Sequence, residues 1–130
     1  MNGQTALNAY ANTQAHSSVF DASPHKLISL LFEGAQTRLM SAKVAMESGN
    51  IAKRGELIGK VIDIVSTLQA NLDAEKGAGV AENLDALYEY MTRRLLEANR
   101  TNDSTIIEEV HGLIGELRSG WDGIAEQAAG

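Results

Sequence analysis

The segment Glu108-Glu109-Val110-His111 sets a carboxylate and an imidazole at i, i+3, the spacing that puts both on one side of a helix. A helical bundle that holds paired iron or manganese ions needs two such pairs, plus one glutamate from each of two further helices. The chain supplies no second Glu-x-x-His. Glu108 and His111 also fall outside the apolar arc of their own helix, so the pair reads as solvated surface. Neither a metal nor a cofactor is expected. His16, His25 and His111 are the remaining candidates for nucleophilic chemistry. A histidine phosphotransfer domain is also a small helical bundle, with one exposed histidine closely followed by a lysine and a glycine that accommodate the phosphate. His25-Lys26 stands at a helix start and His111-Gly112 has no lysine nearby, so such a domain, or a regulatory helical bundle, is the alternative reading. Gly77-Ala78-Gly79 lacks the Gly-Lys-Ser/Thr of a phosphate-binding loop, and no strand precedes it, so it reads as a helix–helix turn. With no cysteine there is no thiolate nucleophile, disulfide or cysteine zinc site. No nucleophile–base–carboxylate set can be assembled, and no enzyme is expected.

The elements that would carry these residues are helices. A single proline, Pro24, leaves long stretches free of breakers. Ser23-Pro24 pairs an N-cap oxygen with proline at the first helical position. The pattern then runs to about Ser48, where Gly49-Asn50 signals a stop, with Leu27, Ile28, Leu31, Phe32, Ala35, Leu39, Ala42 and Met46 on one side. A second helix, from Ile51 to about Glu75, gathers Leu57, Ile58, Val61, Ile62, Ile64, Val65, Leu68 and Leu72 on a broad arc opposite Lys53, Glu56, Lys60, Asp63, Thr67 and Asn71. A third carries Val80, Leu84, Leu87, Tyr88, Met91, Leu95 and Ala98 and ends around Asn99 to Asn102. Asp103 or Ser104 caps the fourth, whose apolar face is Ile106, Val110, Leu113, Ile114, Leu117, Trp121 and Ile124. Short polar turns between long helices predict an all-α, antiparallel up-and-down four-helix bundle. Residues 1–19 read as a mobile arm, 20–127 as the bundle and 128–130 as a tail.

The chain is 130 residues long, one domain's worth, and 44% hydrophobic, enough for one core. Its formal net charge of −6 argues against nucleic acid as a partner. No apolar run is long enough to span a membrane, and the first residues lack the basic and apolar regions of a secretory signal, so a cytoplasmic location is expected. Some apolar side chains exceed what a minimal bundle buries. Leu30, Met40 and Val44 lie off the main face of the first helix, and the second helix's arc is wide for one contact. On the third helix, Asn83, Leu87, Tyr90 and Arg94 share a mixed stripe suited to contact with a partner helix. Leu7 and Tyr10 could belong to a tethered segment that covers an apolar groove until a ligand displaces it.

Asp21-Ala22-Ser23-Pro24-His25-Lys26-Leu27-Ile28, followed by Leu31-Phe32-Glu33-Gly34-Ala35, resembles the opening signature of the FliS flagellar export chaperones. The likeness continues through Gly77-Ala78-Gly79-Val80-Ala81-Glu82-Asn83-Leu84 and Leu87-Tyr88-Glu89-Tyr90-Met91-Thr92-Arg93-Arg94-Leu95. It closes with Ala98-Asn99, Asp103, Glu108-Glu109-Val110 and Trp121. The resemblance implies a cytoplasmic, non-catalytic bundle that binds the C-terminal segment of flagellin, prevents premature polymerisation and assists flagellar type III export. It leaves room for export-gate components or a regulator as further partners. It also implies that Tyr10 occupies part of the flagellin groove when empty, and that Leu27, Leu31, Ile58, Ile62, Val65 and Leu72 help form that groove. Phe32 and Glu33 stand where the family often has tyrosine and aspartate. Gly112, Gly115, Gly120 and Gly123 are expected to make the last helix fray, or order fully only with ligand.

Overall fold

Ser23 and Pro24 start the first helix as their chemistry requires. The Ser23 Oγ accepts from the Lys26 backbone N–H at 3.1 Å, satisfying one orphan donor of the first turn. Pro24 fills the first helical position, where its missing N–H loses nothing. The computed structural model describes residues 23–72 and 78–129. Within them lie α1 (Pro24–Glu47), α2 (Ile51–Ala70), α3 (Ala78–Thr101) and α4 (Ser104–Ala129). The expected arm, with Leu7 and Tyr10, lies outside the described residues. α4 continues to Ala129, into the stretch read as a tail.

The two tight turns share one geometry. At the end of α1, the Gly49 N–H donates to the Met46 carbonyl at 3.3 Å and the Asn50 N–H to the Ala45 carbonyl at 2.9 Å. These are the paired bonds of a Schellman stop, with Gly49 in the left-handed region at φ 73°. Asn50 then caps α2, its Oδ1 accepting from the Lys53 N–H at 3.1 Å. α3 ends in the same way, with Asn102 at φ 56° in the glycine's place and the Asp103 N–H donating to the Ala98 carbonyl at 3.3 Å. Asp103 caps α4 by accepting from the Thr105 N–H at 2.9 Å and its hydroxyl at 2.6 Å.

Such short turns make sequential helices antiparallel, and side chains fix the register. Arg54, early in α2, donates to Asn99 (3.1 Å) and Asn102 (2.8 Å) at the end of α3. Gln69, late in α2, donates to Asp85, early in α3, at 2.8 Å. α1 packs on α2 and α4, and α3 packs on the same two, so the helices close a ring in chain order. The result is the antiparallel up-and-down four-helix bundle expected from the sequence. Leu31, Leu39, Ile58, Val61, Val65, Met91, Leu95, Val110 and Ile114 fill its centre.

Several details depart from expectation. α2 stops at Ala70 rather than near Glu75, with Asn71 as its C-cap, whose side-chain amide folds back to donate to the Thr67 carbonyl at 2.7 Å. Thr67, read on the polar arc, is buried, its hydroxyl satisfied by the Asp63 carbonyl at 2.9 Å. Ile107, absent from the expected face of α4, is only 1% exposed, whereas Ile124, placed on that face, is 55% exposed.

Candidate partner-binding surface

The residues expected to line a groove divide into two groups. Leu31 (2% exposed), Ile58 (1%) and Val65 (0%) are sealed in the core and cannot wall an open groove in this conformation. The reason is that α2 packs on both α1 and α3, which consumes its broad apolar arc. Leu27, Ile62 and Leu72 are half-buried, with Ile62 and Leu72 packed against the rim of the core. Off the main face of α1, Met40 (52%) and Val44 (63%) stand open to solvent one turn apart, and Leu30 is half-buried.

Of the Asn83–Leu87–Tyr90–Arg94 stripe, Tyr90 and Arg94 reach α4. Asn83 is exposed and Leu87 half-buried against the core. The Tyr90 hydroxyl donates to Glu109 Oε2 at 2.6 Å, and Arg94 Nε donates to Glu109 Oε1 at 2.8 Å. Both bonds favour the ionised carboxylate, so the Tyr90 hydroxyl first, and Arg94 with it, hold the Glu109 carboxyl below its usual range. The same bond to Glu109 raises the Tyr90 phenol and the Arg94 guanidinium. Sequence reasoning missed Glu109 as the partner of this stripe. The available signal was the turn: Arg94 and Glu109 lie about equally far from Asn102-Asp103, so an antiparallel hairpin brings them level.

The other edge of α4 meets α1 along its length. Lys43 pairs with Glu108 at 2.6 Å. Arg118 Nη1 donates to Gln36 at 3.1 Å, and the Ser29 hydroxyl donates to Asp122 at 2.9 Å. The His25 ring lies flat on Trp121, centroids 4.2 Å apart and planes 5° from parallel, while the indole N–H donates to the His25 carbonyl at 2.9 Å. His25 Nε2 is buried without a hydrogen-bond partner, so it is not presented as a nucleophile. Glu108 pairs with Lys43, and no group of three potential metal ligands forms among the described residues. No helix among those residues is long and apolar enough to cross a membrane.

Comparison with known proteins agrees with this architecture. The family model "Flagellar protein FliS" matches residues 6–128. The flagellar secretion chaperone FliSB of Pseudomonas aeruginosa is 46% identical over 125 residues, covering 96% of this chain and 99% of that protein. The flagellar secretion chaperone FliS of Salmonella typhimurium is 44% identical over 126 residues, covering 96% and 93%. A crystal structure of a flagellar chaperone from bacteria superposes with a TM-score of 0.76 at 16% identity, covering 95% of this chain and 98% of the other, which shows the shared fold. The relatives are chaperones, which is not an enzyme class. A ring of four antiparallel helices, the motifs strung along it and full-length relatives agree: the chain belongs to the FliS family of flagellar secretion chaperones.

Proposed function

We propose that this chain binds the disordered C-terminal segment of flagellin in the cytoplasm, prevents its premature polymerisation and assists its flagellar type III export. The observation that carries this reading is the apolar surface left over after the bundle has packed. Leu27, Ile62, Leu72 and Leu87 keep solvent contact at its rims, and Met40 and Val44 stand open on α1. A tail that polymerises through amphipathic helices has to bury their apolar stripes before assembly. Burial on these rims contributes about 25 cal/mol per Å2 of apolar area, which offsets the ordering entropy of a flexible tail. Leu31, Ile58 and Val65 would support the rims from beneath, while Asn83, Leu87, Tyr90 and Arg94 supply mixed contacts. Leu7 and Tyr10 are the proposed cover of the empty groove. Calorimetry against flagellin with and without its C-terminal segment tests the proposal, since binding should vanish with the segment. Tyr10→Ala should alter the isotherm, and an unchanged one removes Tyr10 from the mechanism.

A further inference from the structure

The α3–α4 edge is the least extensively packed of the four sides of the ring. Leu84 and Leu87 on α3, and Leu113 and Leu117 on α4, are only half-buried. Among the described residues, the hydrogen bonds between side chains of these two helices converge on Glu109, which takes the Tyr90 hydroxyl on one carboxylate oxygen and Arg94 Nε on the other. Arg94 and Glu109 both keep about a third of their side-chain surface in water (35% and 36%), so the contact is open to competition. Arg94 meets the carboxylate through Nε alone, not through the bidentate fork a guanidinium offers. Arg93, exposed beside it, adds positive charge in a chain of net charge −6.

We propose that Glu109 is a built-in placeholder: in the free chaperone it occupies Tyr90 and Arg94, and a carboxylate of the bound helical segment replaces it at Arg94. The proposal rests on the reading of the chain as a flagellin-segment chaperone and adds which chemical group of that segment this edge recognises. The segment would lie with its apolar stripe along the half-buried leucines and its carboxylate at Arg94. That carboxylate could belong to an aspartate or glutamate side chain or to the chain terminus, and these sources are separable by experiment.

Titration calorimetry with a synthetic flagellin C-terminal segment provides the test, using the full-length chaperone and its Glu109→Gln and Arg94→Gln variants. Three peptides are used: unmodified, C-terminally amidated, and with its acidic side chains converted to amides. Glu109→Gln should tighten binding of the unmodified peptide by about fivefold, and Arg94→Gln should weaken it by about tenfold, the scale of one charge-assisted hydrogen bond. The peptide that has lost the recognised carboxylate should bind the native chaperone about tenfold more weakly and lose nothing further with Arg94→Gln. Whichever modification has this effect identifies the source. If Glu109→Gln merely loosened the helices, the carboxylate-free peptide would gain as much as the unmodified one, which overturns the proposal. Affinities unchanged in both variants also overturn it, while leaving the chaperone reading intact. No binding of any peptide by the native protein removes both. Far-UV circular dichroism of each variant establishes that it is folded, and Arg94→Lys, which keeps charge but not the planar fork, should fall between native and Arg94→Gln.

Discussion

The two edges of α4 are built on different plans. Toward α1, contacts run the length of the helix: Lys43–Glu108, Arg118–Gln36, Ser29–Asp122 and the His25–Trp121 stack. The Gln36 side chain also packs over Gly115 there, since a Cβ on Gly115 would lie 3.1 Å from Gln36 Nε2. Toward α3, one hydrogen-bonded cluster on Glu109 sits beside half-buried leucines. The first edge spreads its stabilisation over many positions and resists opening. The second concentrates its polar contacts at one exposed point, so a competing ligand has little to displace.

The largest effect should come from beneath both edges. Ile114 is fully buried, and Ile114→Ala should lower unfolding free energy by about 2–5 kcal/mol in urea denaturation. The edges themselves should then separate. Trp121→Ala removes a stacked ring and a hydrogen bond and should destabilise by about 2 kcal/mol, against about 1 kcal/mol for Leu113→Ala. Equal losses would abolish the distinction drawn between the edges.

Glycines sharpen it further. A Cβ at Gly112, Gly120 or Gly123 meets nothing within 4 Å, so alanine there should stabilise by about 0.5–1 kcal/mol per site in thermal melts. Gly115→Ala should gain less, because Gln36 has to shift. The same glycines predict faster hydrogen exchange toward the end of α4 in the free protein, and uniformly slow exchange across residues 104–124 would contradict that.

The smallest effect is electrostatic. The folded Glu109 carboxyl is held below its unfolded value, chiefly by Tyr90 and then Arg94. Its stabilising contribution is therefore complete above the ordinary glutamate range, about pH 4.3, and is lost as pH falls through the depressed folded value. Asp103, lowered by its bonds to Thr105, follows the same sign at the start of α4. Carboxyl-carbon NMR titration should place the Glu109 midpoint below that of a model glutamate, and Tyr90→Phe should move it back up.

Much of the bundle was legible in the sequence because capping is local. Ser23-Pro24, Gly49-Asn50 and Asp103 mark boundaries that depend only on neighbouring residues. Asn71 was misread because an amide that can bond its own helix's carbonyl ends α2 while Leu72 continues the apolar pattern. The candidate site was less legible. A helical wheel gives the direction of an apolar residue but not how many neighbours press on it, so Ile58 and Val65, surplus on one helix, are consumed between two. Glu109 escaped notice because its role depends on two residues of another helix, whose level is set by the Asn102 turn.

Trp121 is the chain's only tryptophan, and it lies face to face with an imidazole at the α1–α4 edge. Its ultraviolet emission is therefore an unlabelled gauge of that corner, shifting to the red when the indole is peeled into water. A guest that enters by the opposite side should saturate the protein while this intrinsic signal stays almost silent.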